Sequence, residues 1–329
     1  MRRPIPIRRR LVGSALGLLA AIASAPRIAF GQARAVRIGV LAPRRNSIFL
    51  PAVLKRLGEL GYVEGKNLVV DYRSADGVAE HFPSLAGDLI RAKSDLIFAI
   101  GPEQSARAVL EAKAGVPVVI LAADYDPVKT GLISNLRRPG GNVTGMVLLA
   151  PALAAKRLEL LRDIVPTVKR VLVLADSFTA GQLDAIREAA DKLRVEIAVE
   201  SFAAIPYDLT AAFARGVAAG TGAVLSLGSP VLFEQRKQIA GLSIKYRLPS
   251  AGSALSSEDG FLISYGVNPA KAFVRAGDIA ASILKGTKPG DIPVEQPTVF
   301  ELAVNLKTAK ALKISIPPSI MLRADRVIE

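Results

Sequence analysis

The 329-residue chain has no cysteine, no tryptophan, a single histidine and only 5% aromatic residues. Without cysteine there is no disulfide, no thiolate nucleophile and no thiolate metal site. The lone His81 stands at a helix entrance with no Ser or Cys pattern beside it, so counting excludes a metal centre built on His and Cys. Neither HExxH nor GxSxG occurs, and the first strand is followed by neither a GxGxxG fingerprint nor a P-loop. The expectation is a protein with no catalytic residue, no metal and no cofactor. Scarce aromatics also remove the stacking platforms on which single-stranded nucleic acids are held.

What is present begins with charge. The formal net charge of +14 suggests a polyanion as partner until its distribution is read. Arg2, Arg3, Arg8, Arg9 and Arg10 precede an uncharged, largely apolar run over 11–25, and small residues follow at Ala29 and Gly31. That is the order of a secretory signal peptide over 1–31, and its apolar run is shorter than the ~20 residues of a membrane-spanning helix. Six of the 43 basic residues and none of the 29 acidic ones lie in it, leaving 37 against 29, a formal +8. The remaining Lys and Arg are scattered, so no nucleic-acid partner is expected. No later window is apolar enough to span a bilayer, and no cysteine follows the apolar run to carry a lipid. The sequence therefore predicts export to the periplasm, with a mature chain that is not membrane-embedded.

From residue 36 onward, short β-branched runs alternate with helical stretches. Strands are expected at 36–41, 68–72, 96–100 and 116–121, with helices at 49–60, 82–92 and 103–113 between them. A loop-rich stretch, 122–145, follows and contains the turn Pro139-Gly140-Gly141-Asn142. The alternation then restarts with helices at 152–164, 182–193, 209–219 and 233–246, and strands at 170–174, 196–202, 223–227 and near 248. A tail of strand 260–265, helix 269–284, strand 299–304 and helix 307–312 is expected to cross back and complete both sheets. This pattern predicts an α/β protein of two doubly wound, flavodoxin-like parallel-sheet lobes joined by a hinge. One lobe takes 32–147 plus 266–297, the other 148–265 plus 298–329.

In open parallel sheets ligands bind beyond the carboxyl ends of the strands. The loop after the first strand carries Arg44, Ser47 and Phe49, with Arg44 suited to a ligand carboxylate. Gln104 and Ser105 open the helix after the third strand, where an anion or plain capping would suit the sequence equally. Asp124 and Asp126 follow the fourth strand as acceptors for an ammonium, although Asp126-Pro127 would also shape a turn. In the second series, Asp176 and Phe178 share one loop and Ser229 stands in another. Phe178 is placed to stack on a ligand and Ser229 to bond a polar group. Tyr265 and Asn268 lie where the chain returns between lobes.

The segments Leu57-Gly58-Glu59-Leu60-Gly61-Tyr62-Val63-Glu64-Gly65-Lys66-Asn67-Leu68, Arg138-Pro139-Gly140-Gly141-Asn142-Val143-Thr144-Gly145, Val294-Glu295-Gln296-Pro297-Thr298, Asn305 to Leu312, and Ile316-Pro317-Pro318-Ser319 with Arg323-Ala324-Asp325 form a specific combination. Together they resemble the substrate-binding proteins of ABC transporters, in the family with tryptophan- and phenylalanine-binding members. The resemblance implies a type I periplasmic-binding fold, a monomer closing about a hinge on a small molecule, and a membrane permease as partner. An amino acid or related small carboxylate is the implied ligand. Many relatives open the helix after the third strand with Gly-Thr/Ser-Pro. This chain has Gly101-Pro102-Glu103, whose carboxylate disfavours an anion there. A sensor docking onto a membrane receptor, and an exported hydrolase using Asp124, Asp126 and Asp176, are the alternatives.

Overall fold

The computed structural model describes residues 34–45, 49–112 and 114–329, and the expected signal segment 1–31 and Ser47 lie outside the described residues. The first half of the chain runs β1 (Val36–Ala42), α1 (Phe49–Glu59), β2 (Leu68–Ser74), α2 (Phe82–Arg91), β3 (Leu96–Gly101), α3 (Glu103–Glu111), β4 (Val118–Ala122) and β5 (Val143–Val147). These strands form one parallel sheet in the order β2-β1-β3-β4-β5. The central β3 and β4 are buried along their whole length, which is why they read as unbroken apolar runs. On one face Phe49 of α1 meets Phe98 edge-on at 5.4 Å and Phe273 at 5.1 Å.

The second half runs α4 (Ala150–Ile164), β6 (Arg170–Asp176), α5 (Ala180–Leu193), β7 (Glu196–Phe202), α6 (Leu209–Ala218), β8 (Ala223–Ser226), α7 (Pro230–Glu234), α8 (Arg236–Lys245), β9 (Ser250–Gly252), β10 (Ile263–Gly266), α9 (Pro269–Leu284), β11 (Glu301–Asn305), α10 (Leu306–Leu312), α11 (Pro318–Met321) and β12 (Arg326–Ile328). Its sheet has the order β12-β11-β10-β9-β8-β6-β7. The edge strand β7 exposes Glu196, a charge that discourages pairing with another chain.

The alternation of strand and helix is as the sequence predicts, with four differences. β5 begins inside the stretch expected to be loop, masked by the Pro-Gly-Gly-Asn turn and by Gly145. The second sheet is mixed rather than wholly parallel, because β11 runs antiparallel to β10. Both tail strands join that sheet. What returns to the first lobe is α9, packed against α1, and a bridge between Met146 and Glu295 beside β5. The helix expected at 233–246 begins earlier and breaks at Gln235, because Ser229 caps α7 and Pro230 suits its first turn. The chain thus passes between the sheets at 147–150, 266–269 and 295–301.

β5 depends on one residue. Gly145 has φ +140°, and a Cβ there would stand 2.0 Å from the Ile120 carbonyl oxygen on β4. The obstacle is backbone and cannot rotate away. Gly145→Ala is expected to cost about 3 kcal/mol, read as a lowered midpoint in urea denaturation.

Candidate functional site

The carboxyl ends of the two sheets converge on a cavity of about 190 Å³. One wall comes from Ile100, Gly101, Leu121, Ala123 and Leu148, at the ends of β3, β4 and β5. The other comes from Gly228, Ser229 and Pro230 after β8, Ser253 and Ala254 after β9, and Leu153, Arg157 and Phe233 on α4 and α7. Val267, Pro269, Ala272 and Phe273 close it where the chain crosses back. The lining is apolar apart from Arg157 and two serines.

Arg157 is the unusual member. It is 3% exposed, and its Nε donates to the Tyr265 carbonyl at 2.7 Å, but Nη1 has no partner among the described residues. Burial pulls its pKa down to about 10, so it remains a cation at neutral pH. An uncompensated buried charge costs several kcal/mol. No side chain covers it from Gly266, where a Cβ would lie 3.3 Å from Nη2. The arrangement leaves a guanidinium able to receive an anion.

The second wall is braced by hydrogen bonds. The Asp176 carboxylate accepts from the Ser229 hydroxyl, from Tyr207 Oη at 3.1 Å and from Phe178 N at 3.0 Å. Burial raises the pKa of Asp176. Ser229 Oγ in turn accepts from Val231 N and Leu232 N, capping α7. Gln182 binds both the amide and the carbonyl of Gly228, at 2.7 and 3.0 Å. The first turn of α5 is held from the opposite lobe. Asp124, just beyond β4, accepts from Gly181 N at 2.8 Å and Gln182 N at 2.9 Å. A carboxylate at a helix N-terminus satisfies orphan N–H groups and opposes the helix dipole. A second contact between lobes, Arg44 to Glu234 on α7, spans 2.9 Å at the surface.

Among the residues singled out from sequence, only Ser229 lines this cavity, and its hydroxyl is already engaged. Arg44 is paired with Glu234 rather than directed into the cavity. Phe49 belongs to the core of the first lobe, because its ring completes a cluster with Phe98 and Phe273. Gln104 is exposed on α3, and Ser105 is buried with its hydroxyl donating to the Pro102 carbonyl. Asp126 is exposed and caps its own turn through Val128 N at 2.9 Å. Phe178 is 3% exposed and lies edge-on to Phe82 of the other lobe, which makes it interlobe packing rather than a ligand platform. Tyr265 contributes its carbonyl to Arg157, while its ring meets Phe300. Asn268 caps α9 at Ala270 N and donates to Glu301 at 3.1 Å. Asp124, Asp126 and Asp176 do not converge on the cavity. The residue that sequence reading missed is Arg157, although the apolar stripe Leu153, Leu158, Leu161 of α4 places it on the buried face.

Asp124 yields a pH prediction. Burial outweighs its two N–H bonds and pushes its carboxyl up to about 6, from 3.8. The folded protein then holds that proton more tightly than the unfolded chain does. The contribution to stability is full below pH 3.8 and is lost as pH rises through about 6. Asp124→Asn, which keeps an acceptor oxygen but does not titrate, is expected to flatten this part of the melting-temperature profile relative to wild type.

A family model described as ABC transporter substrate binding protein matches residues 48–328. The chain is 30% identical over 265 residues to a tyrosine-binding protein of Clostridioides difficile, covering 79% of this chain and 74% of that one. Among solved structures, a conserved domain protein from Vibrio cholerae superposes with TM-score 0.79 at 25% identity, over 89% of this chain and all of the other. An ABC domain from Streptococcus pneumoniae in complex with L-Trp gives 0.75 at 25% identity over the same shares. Two sheets traversed three times by the chain are the type I periplasmic-binding architecture, and this chain belongs to the family of ABC transporter substrate-binding proteins.

Proposed function

We propose that the protein is the exported, periplasmic solute-binding component of an ABC importer. It takes an amino acid or related small carboxylate between its lobes and closes over it about the three crossing segments. The unpaired Nη1 of Arg157 in a cavity walled by both lobes carries this reading, since a carboxylate there would complete the guanidinium's pairing. The lobes would be 32–147 plus 266–297 and 148–265 plus 298–329. A membrane permease would read the closed form. The tyrosine and L-Trp named for two of its relatives agree with a carboxylate-bearing solute. Among the described residues no helix is long and apolar enough to cross a membrane.

A melting-temperature screen against amino acids, small carboxylates, sugars and purines tests the reading, because a ligand that binds only the native state raises the midpoint. A hit should also shrink the radius of gyration in solution scattering. A screen without any hit would sink it.

Closure itself has a steric test. A Cβ at Gly181 would stand 2.4 Å from the Asp124 carbonyl oxygen, across the gap between lobes. Gly181→Ala is expected to hold the lobes apart and weaken ligand binding about tenfold, or ~1.4 kcal/mol, measured by calorimetry. The ligand-free melting temperature should fall as well, because the same Cβ displaces Asp124 from Gly181 N and Gln182 N.

A further inference from the structure

We propose that the solute is a small apolar monocarboxylate that carries no α-ammonium group. This rests on the reading of the cavity as a solute site and narrows its chemistry. The carboxylate is asked for by Arg157, buried on α4 with Nη1 unpartnered. An amino acid brings a cation as well, and the cavity lining has no carboxylate to balance one.

No Asp or Glu lines the cavity. The residues outside the described set include neither, so no acid is hidden from view. Asp124 is occupied by two N–H donors of α5, and Asp176 by the Ser229 hydroxyl, Tyr207 and Phe178 N. The Ser229 hydroxyl has no capacity left. Its one proton goes to Asp176, and its two lone pairs take Val231 N and Leu232 N. An ammonium seated here would therefore be desolvated without a counter-charge while facing a fixed guanidinium.

Size and surface define the rest of the ligand. A cavity of about 150 Å³ lined by apolar side chains holds benzene, and this one measures about 190 Å³. One ring or branched chain beside a carboxylate fills it, against walls such as Leu121, Leu153 and Phe233. The predicted class is aryl-alkanoic and branched alkanoic acids.

The test compares molecules that differ by one group. Titration calorimetry on the wild-type chain would use 3-phenylpropionate against L-phenylalanine and 3-phenylpropanamide, and 4-methylpentanoate against L-leucine. The acids are expected to bind at least a hundredfold more tightly than their amino-acid or amide counterparts. Arg157→Gln should abolish acid binding. Its ligand-free melting temperature should not fall, since a partly paired buried charge has been removed. Arg157→Lys should recover part of the affinity, and a merely structural arginine would show no such ligand-specific rescue. An amino acid matching its acid overturns the proposal while the solute-binding reading stands. An amide matching its acid overturns the role of Arg157. Silence from every probe also overturns it, and the wider reading then falls only if the broad screen is silent too.

Discussion

A cation out of water and incompletely paired governs the middle of this molecule. Arg157 is held from one side only, by a backbone carbonyl of the strand next to its helix. Apart from Ser253, the rest of the cavity lining is either apolar or already committed. Ser229 and Asp176 satisfy each other, and Gln182 satisfies the backbone of Gly228. The cavity therefore offers a strong donor and very little else. That economy is what a selective site needs: the walls supply transfer free energy without direction, and one charged group supplies direction.

The second organising contact is the carboxylate of Asp124 at the start of α5. It belongs to one lobe and terminates a helix of the other, so the best-satisfied state of that helix exists only with the lobes together. Arg44 with Glu234, and Phe178 against Phe82, add to the same apposition at other points. These contacts surround the cavity rather than line it. Groups that hold the lobes and groups that line the cavity are thus different residues.

The fold was legible because strand and helix alternate with the lengths a parallel sheet needs. Its exceptions have physical reasons. β5 is short, carries a glycine at positive φ and follows a run of turn residues, so local pattern argues against it even though Ile120 leaves room for nothing else. The reversed direction of β11 is a matter of where the chain comes from, which composition does not encode. At the site, residue type misled most. Phe49 and Phe178 are aromatic side chains near loop ends, yet both bury themselves in packing. Arg157 follows a lysine in a charged-looking helix, and only its register with Leu153 and Leu161 shows that it faces inward. Contacts such as Asp124 to Gly181 join residues 57 positions apart and leave no local trace.

The chain crosses between the two sheets at three places, 147–150, 266–269 and 295–301. A single tether would let one body swivel and twist freely on the other. Three adjacent tethers would suppress twisting and leave essentially one angle to vary. Cavity width would then be a function of that angle alone. In the proposed solute-binding role, a molecule too long for the cavity would prop the angle at a wider value, and the outer surface would inherit the difference. Any macromolecule docking across both halves would measure the length of the captured molecule without touching it.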